Sequence, residues 1–346
     1  MSRGAAAGDS GRIVCFGELL LRLSAPGRQL LFQSPGLDAH FGGAEANVAA
    51  SLAILGHASS VVSALPDNPI GRACAGELRR HGVDTSGIQF AAGRMGLYFL
   101  AHGAMQRPSE VTYDRAGSVF AQTPAAAYDW PQLLAGAGWL HLSGINLALG
   151  EVPAEAALAA ARAARAAGIP VSFDCNFRSQ LWGARAPQAP ELLREIMAEA
   201  ALLFGNERDI ALVLGTAFAQ ADDDERFLAA AQAAFEAFPR LRWMATPARR
   251  ALDAETQELR GHLATRAHAL STRPHRLTSI VDRIGSGDAF AAGLLHGLST
   301  GLHEPGTLDF AVAAACLKHS VPGDVNLLAA TDMDAWLEHD GFDVRR

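Results

Sequence analysis

The sequence predicts an α/β fold of three layers, α/β/α, with a mainly parallel sheet and a small β-sheet lid. Short apolar runs alternate with alanine-rich helical stretches along most of the 346 residues, which is typical of parallel sheets covered by helices on both faces. Apolar residues make up 49 % of the chain, enough for a large core. Two segments, about 19–41 and 94–120, interrupt the alternation. The second has two extended pieces around a polar turn, which predicts the lid.

The elements follow in order. Residues 12–18 are predicted to form a buried strand and residues 42–56 a helix, because apolar side chains recur there at helical spacing before a final glycine. Residues 59–65 predict a second strand, and residues 69–82 a helix with proline near its start and glycine past its end. Later strands are predicted at 138–144, 169–174, 201–205 and 241–246. Ligands bind beyond the carboxyl ends of such strands, so the residues that follow them are candidates for a site.

One domain is predicted over residues 12–340, with the lid formed discontinuously by about 19–41 and 94–120. Residues 1–11 lack the apolar core of a secretory signal and predict a short disordered tail.

Composition and charge exclude several classes of partner. The formal net charge is −7 and no basic block occurs, so nucleic acid is not expected as a partner. No apolar run reaches the roughly 18–20 residues that span a membrane. The four cysteines lie far apart, which predicts reduced thiols and a cytoplasmic location. Lys318 is the only lysine, so a phosphate-binding lysine of the Walker type has almost no candidate.

The late segment Gly285-Ser286-Gly287-Asp288 predicts an anion site. Glycines allow a tight turn, and a helix that begins here directs free N–H groups and its positive dipole end at one spot. Two interpretations of Asp288 stay open. It caps the helix, or it takes a proton from a hydroxyl beside a bound phosphate; from the tetrapeptide alone, capping is favoured.

Two other segments put polar groups at element ends. In "GGAEANVA", Glu45 and Asn47 occupy the first turn of a helix, where they could reach a substrate, unless this is an ordinary helix entry. In "DCNFRSQLW", Asp174, Asn176 and Arg178 alternate after a strand, so in an extended segment they would project to one side. Such a set suits polyol or phosphate recognition, and a surface ion pair is the alternative.

Two further segments have a functional and a plain interpretation. In "GNERD", Asn206 and Asp209 could support a metal–phosphate unit through water, although helix capping by Asn206 is favoured when the segment is taken alone. In "TYDRAGS", Tyr113 and Arg115 share a face of the lid, with Tyr98 on the preceding extended piece. Arginine binds carboxylates through two donors; the alternative is an exposed strand face.

Several enzyme classes lack their motifs in this sequence. The scattered histidines include no HExxH spacing, and neither a GxSxG elbow nor a GxxxxGK[ST] loop is present. No GxGxxG follows the first strand, which argues against a dinucleotide-dependent oxidoreductase. His141 and His319 are therefore predicted to be structural.

Taken together and in this order, the motifs resemble the ribokinase-like (PfkB) carbohydrate kinases over about residues 12–335. "GGAEANVAASLAILG" and "DRIGSGDAFAAG" carry most of the resemblance. Within the family, "GELLLRLSAPG", "TYDRAGS", "DCNFRSQLW" and "HSVPGDVN" are most similar to the 2-keto-3-deoxygluconate kinases.

The resemblance implies a role for each candidate residue. Asp288 matches the family's base, and Gly285, Ser286 and Gly287 match its anion hole. The residues implied in sugar-acid binding are Gly43, Asn47, Tyr98, Tyr113, Arg115, Arg178, Asp288 and Asp324. Those implied in nucleotide binding are Asn176, Asn206, Thr246, Arg249, Gly285 and Gly287, with Asp209 linked to a metal only indirectly.

Three features depart from the family pattern. Arg283 stands where a small residue is usual, and it has no physical explanation in the sequence. Asp209 ends a motif that usually ends in Glu, and "TPARRAL" replaces a glycine-rich nucleotide turn. Whether a monovalent cation binds near residues 282–284 is open.

The implied activity is ATP- and Mg²⁺-dependent phosphorylation of the C6 hydroxyl of 2-keto-3-deoxygluconate. Other kinases of the family are the nearest alternatives: fructokinase, ribokinase or 2-keto-3-deoxygalactonate kinase. A non-catalytic sugar or nucleotide sensor on the same fold is an alternative of a different class. An exposed lid sheet predicts a homo-oligomer paired through the lid.

Overall fold

A computed structural model describes residues 11–338 of the chain. The strands are β1 (Arg12–Phe16), β2 (Leu20–Ser24), β3 (Asp38–Gly42), β4 (Ser59–Pro66), β5 (Ile88–Ala91), β6 (Gly96–Ala101), β7 (Glu110–Asp114), β8 (Ala137–Ser143), β9 (Val171–Asp174), β10 (Ala200–Phe204), β11 (Trp243–Ala251), β12 (Gln257–Thr265), β13 (Ala269–Ser271) and β14 (His275–Leu277). The helices are α1 (Ala44–Ile54), α2 (Pro69–Arg80), α3 (Val119–Gln122), α4 (Trp130–Leu133), α5 (Gly144–Ala148), α6 (Glu151–Ala166), α7 (Ser179–Trp182), α8 (Ala189–Met197), α9 (Glu207–Leu214), α10 (Asp223–Ala237), α11 (Ser286–Thr300), α12 (Glu304–Lys318) and α13 (Ala330–Glu338). The predicted tail, apart from its last residue, and residues 339–340 of the predicted domain lie outside the described residues.

The central layer is a ten-stranded sheet in the order β13-β12-β11-β10-β9-β8-β1-β4-β5, with β14 also paired to β12. From β5 to β11 along this order, neighbouring strands run parallel. The strands β12, β13 and β14 add an antiparallel edge. The mainly parallel sheet is therefore confirmed, and the antiparallel edge lies beyond the strands that the sequence predicts.

Alternating side chains along β1 explain why helices cover both faces of this sheet. Ile13 and Cys15 belong to a core shared with α1, α2, α11 and α12. Val14 and Phe16 point to the opposite face and share a core with α6, α8 and α10. All four side chains are fully buried, as the period of two along a strand requires when both faces are covered. The three-layer prediction is confirmed.

A separate four-stranded sheet, called the small sheet below, has the order β3-β2-β6-β7. Its strands come from the two segments that interrupt the alternation. Along β2, Leu20, Arg22 and Ser24 are buried, whereas Leu21 and Leu23 on the other face are only partly buried. This strand therefore turns an arginine inward.

The edge of the large sheet at the carboxyl ends of its parallel strands positions the site. The N-termini of α1, α9 and α11 lie at this edge, and residues from them and from the small sheet line one cleft. Helices α1 and α11 pack directly on each other, which brings their first turns together. Within residues 11–338, no helix combines the length and apolarity needed to cross a bilayer.

Candidate active site

A cleft of about 520 Å³ lies between the large sheet and the small sheet. All the site residues that the sequence predicts line it: Gly43, Asn47, Tyr98, Tyr113, Arg115, Asn176, Arg178, Asn206, Asp209, Thr246, Arg249, Gly285, Ser286, Gly287, Asp288 and Asp324. Asp174 and Glu45 line it as well. Segments far apart in the chain thus converge on one volume, large enough for a small polar ligand.

The turn at Gly285 begins α11 and needs glycine for two reasons. Its φ is +79°, in the left-handed region. A Cβ added there would lie 1.8 Å from the carbonyl oxygen of Asp324. Gly285 is the N-cap residue and no side chain caps the helix, so the first N–H groups of α11 remain available to an anion in the cleft.

Asp288 lies in the first turn of α11, three residues after the N-cap. The capping interpretation is therefore wrong, because its carboxylate bonds elsewhere: Asn47 Nδ2 donates to Asp288 Oδ2 at 2.7 Å. Burial raises the pKa of Asp288 to about 6, although the Asn47 hydrogen bond and Arg178 both favour the charged form. A carboxylate with a raised pKa at a helix N-terminus is suited to accept a proton beside a bound phosphate.

Two residues of the first turn of α1 have different environments. Asn47 keeps a free acceptor, since its Oδ1 is buried without a hydrogen-bond partner. Glu45 is buried, and its Oε1 accepts from Ser143 N at 2.8 Å and from Asn146 Nδ2 at 3.1 Å. Asn47 is therefore the residue of this turn with capacity for a ligand, whereas Glu45 braces α1 against the start of α5.

Gly43 lies just before α1 and allows the backbone to approach residue 18 closely beside the cleft. Its φ is +151°, and a Cβ there would lie 2.3 Å from the carbonyl oxygen of Glu18. Only glycine fits at this close approach.

The segment after β9 is not extended as predicted. Asn176 has φ +37°, so the chain turns, yet Asp174, Asn176 and Arg178 still line the cleft. Burial raises the pKa of Asp174 to about 7, and the nearby charges of Asp288 and Asp209 raise it further. The surface ion-pair alternative does not apply to Arg178, whose Nε and Nη1 donate to Asn176 Oδ1 at 2.9 Å and Tyr113 OH at 2.7 Å.

Asn206 and Asp209 form a capping box at the start of α9. Asn206 Oδ1 accepts from Arg208 N and Asp209 N, and Asp209 Oδ2 accepts from Asn206 N at 2.9 Å. Capping by Asn206 is thus confirmed, and only its Nδ2 remains for a ligand. Burial raises the pKa of Asp209 to about 6. Among the described residues, no group of three or more His, Cys, Asp or Glu side chains is placed to hold a metal ion.

Arg115 forms a buried ion pair that the sequence analysis missed. Its Nη2 lies 2.5 Å from Glu18 Oε2, and Ser118 donates to Glu18 Oε1. Glu18 is the last residue of the first predicted strand, 12–18, so the rule that ligands bind at strand ends could have identified it. Because Glu18 neutralises the guanidinium of Arg115, Arg178 is the one of these two arginines whose side-chain hydrogen bonds go to neutral partners.

A second buried network, also missed, connects the small sheet to the turn at Gly285. Arg22 donates to Asp282 Oδ2 at 2.6 Å and to Asp324 Oδ1 at 2.7 Å, with the arginine only 1 % exposed. Tyr98 OH donates to the other oxygen, Oδ2, of Asp324. Both oxygens of Asp324 are therefore used within the protein, which makes Asp324 and Tyr98 anchors of the small sheet.

Two arginines add positive charge to the cleft beside the turn at Gly285. Arg249 Nη1 lies 3.5 Å from Ser286 Oγ, and Arg283 Nη2 donates to Asp253 O at 2.6 Å. Both line the cleft. Arg283, which has no explanation in the sequence, thus connects the turn at Gly285 to the β11–β12 hairpin.

The two histidines predicted to be structural are buried and hydrogen-bonded. His141 Nδ1 pairs with Ser172 Oγ at 3.0 Å, and burial lowers the pKa of His141 to about 3. His319 pairs with Gln257 Nε2 and Ala315 O, and burial lowers its pKa to about 4.

The family model described as pfkB family carbohydrate kinase matches residues 10–330. A 2-dehydro-3-deoxygalactonokinase of Haloferax volcanii is 31 % identical over 324 residues, covering 93 % of this chain and 95 % of that protein.

Two solved structures share the fold and a substantial fraction of the sequence. A 2-dehydro-3-deoxygluconokinase of Thermotoga maritima has a TM-score of 0.91 and 36 % sequence identity. The match covers 95 % of this chain and 100 % of that chain. A PfkB family carbohydrate kinase of Listeria grayi has a TM-score of 0.89 and 33 % identity, covering 95 % and 100 %.

Proposed function

The chain belongs to the pfkB family of carbohydrate kinases, and from this premise we propose that it phosphorylates the C6 hydroxyl of 2-keto-3-deoxygluconate with ATP. The observation that carries the proposal is the pairing of Asn47 with Asp288 at the uncapped start of α11. The similarity to kinases of 2-dehydro-3-deoxy sugar acids supports the substrate class.

Asp288 is the proposed general base. Its carboxylate accepts the proton of the C6 hydroxyl while that oxygen forms a bond to the γ-phosphorus and the bond to the bridging oxygen of ADP breaks. The N–H groups of residues 285–288 stabilise the charge that develops on the transferring group. Asn47 holds the carboxylate in place, and its free Oδ1 suits a substrate hydroxyl.

The cleft suits a nucleotide with Mg²⁺ held by phosphate oxygens. Arg249 and Arg283 line the cleft beside the anion-hole turn, where their charges would face a triphosphate. Asp174 and Asp209 would contact the metal through water. Mg²⁺, when bound, neutralises charge on the phosphates.

Product analysis tests the proposal. With ATP and 2-keto-3-deoxygluconate, ³¹P NMR should show a phosphomonoester coupled to the two protons at C6. Phosphate on another carbon, or ADP release without a sugar phosphate, would contradict the assignment.

Arg178 is proposed to bind the substrate carboxylate, because its hydrogen bonds go to neutral groups while Arg115 is neutralised by Glu18. Arg178→Gln should raise KM for the acid about tenfold to hundredfold, the cost of one or two charge-assisted hydrogen bonds. Turnover of fructose should change less. The matched Arg115→Gln should lower Tm and affect both sugars alike. A preserved preference for the acid in Arg178→Gln would refute this role.

The pH dependence follows from the base. Asp288 acts only when ionised, so kcat/KM should be constant above its pKa of about 6 and fall about tenfold per pH unit below it. Asn47→Leu removes a hydrogen bond that favours the ionised form, so the acidic limb should move to higher pH. If the acidic limb of the pH profile stayed in place or moved to lower pH in Asn47→Leu, Asp288 would be excluded as the group that titrates there.

The small sheet is proposed to act as a lid and as a surface for homo-oligomer formation. Its outer loop exposes Phe32 to 69 %, with the ring 6.3 Å from that of Phe99. Phe32→Asp should convert an oligomer to a monomer in light scattering, and an unchanged mass would contradict the proposal. The free, buried cysteines are compatible with the cytoplasmic location that we propose.

A further inference from the structure

Lys318 is the only lysine in the chain, and its side chain is fully buried at 0 % exposure. It is the last residue of α12, and its Nζ donates to Val321 O at 2.9 Å. A buried ammonium is costly unless nearby charges and carbonyl groups compensate it. No step of the proposed reaction uses this residue, so its burial needs another explanation.

Two loops enclose the ammonium. Residues 281–285 lead into the anion hole, and residues 319–324 follow α12. Asp282 joins them: its N donates to His319 O at 3.2 Å, and its Oδ2 accepts from Gly323 N at 3.0 Å. Both loops are therefore fixed to each other around Asp282.

Lys318 lies directly behind the anion hole. A Cβ added to Gly285 would lie 3.3 Å from Lys318 Cε. Gly285 is the N-cap of α11, whose first N–H groups face the cleft. The Lys318 side chain therefore packs against the backbone of the turn that presents those donors.

The local charges balance. Arg22 and Lys318 supply two positive charges, and Asp282 and Asp324, which pair with Arg22, supply two negative charges. Both carboxylates, and Asp288 as well, favour the charged form of Lys318 against the lowering of its pKa by burial. The charge of Asp288 is itself offset by Arg178 on the cleft side. A further cation would leave the cluster with excess positive charge, so the residues present do not fit the monovalent cation that the family resemblance leaves open near residues 282–284.

We propose that the Lys318 ammonium serves as a built-in monovalent cation that holds residues 281–285 in the shape of the anion hole, so that the protein needs no potassium or ammonium activator. Lys318 is a positioning residue: its ammonium binds Val321 O in the second loop, which Asp282 joins to residues 281–285. The catalytic part of the inference rests on the proposed kinase function.

The experiment compares wild type with Lys318→Ala in sodium, potassium, ammonium and methylammonium chloride, with choline chloride keeping the ionic strength constant. Tm without substrates and ADP release with the accepted sugar are both measured. Wild type should respond equally to all salts. Lys318→Ala should lose roughly tenfold to hundredfold in kcat, as for other residues that orient a site from behind. Potassium, ammonium or methylammonium should restore part of the rate and raise Tm in this variant alone.

Two further variants complete the test. Lys318→Met removes the charge but fills the space, so it should lose activity without rescue by any cation. Leu317→Ala truncates the neighbouring side chain, which packs in a different cluster, and should lower Tm without any cation response. Activation of the wild-type protein by potassium would overturn the proposal. It would also be overturned if Lys318→Ala folded and neither its rate nor its Tm changed with any of the cations. If Lys318→Ala does not fold, the response of the wild-type protein to potassium still tests the proposal. If the protein does not accept the proposed sugar acid, the Tm measurements still test the effect of each cation on the fold.

Discussion

Replacing Asp288 with asparagine should lower kcat by about 10²–10⁴-fold, the usual contribution of a positioned general base. Asparagine cannot take the proton of the sugar hydroxyl. It can still accept the hydrogen bond from Asn47, so the first turns of α1 and α11 should keep their packing. Steady-state ADP release measures the effect.

The control for this variant separates chemistry from folding and binding. Tm should equal or exceed that of wild type, because the substitution removes a carboxylate whose burial disfavours its charge. The affinity for ATP should change little. Turnover within a few-fold of wild type would refute Asp288 as the base.

Replacing Arg22 with methionine should destabilise the fold by about 3–5 kcal/mol, the range for breaking a buried ion pair by removing one partner. Methionine fills much of the volume but leaves Asp282 and Asp324 buried without their shared cation. Because these carboxylates adjoin the turn at Gly285, the variant should also lose activity. Urea unfolding gives the free-energy change.

Arg162→Met is the matched control, since Arg162 pairs with Glu195 at 56 % and 40 % exposure. An exposed pair contributes at most about 1 kcal/mol. If both variants lost the same free energy of unfolding, the Arg22 network would not anchor the small sheet.

The strands and helices could be predicted because their signals are local. The predicted strand at 12–18 has an unbroken apolar run at 13–16, which forms most of β1 and is buried on both faces. The helix at 69–82 has its proline at the start, and the structure has α2 at Pro69–Arg80. The Gly-Ser-Gly-Asp turn could likewise be located, because glycine is required there by backbone geometry rather than by distant partners.

The ion-pair networks could not be predicted from local patterns. Arg22 lies 260 residues from Asp282 and 302 from Asp324 in the chain, and nothing in strand alternation indicates that an arginine faces inward. The pairing of Glu18 with Arg115 is equally remote, at 97 residues. The left-handed backbone at Asn176 was also missed, because the Asp-x-Asn-x-Arg pattern looks extended.

The most direct test of the whole account is an ADP-release assay with 2-keto-3-deoxygluconate, 2-keto-3-deoxygalactonate, fructose, ribose and adenosine as acceptors. We expect the highest kcat/KM for 2-keto-3-deoxygluconate, with the neutral sugars and adenosine far below both acids. Preference for a neutral acceptor, or no ADP release above the background with any of the five, would contradict a sugar-acid kinase.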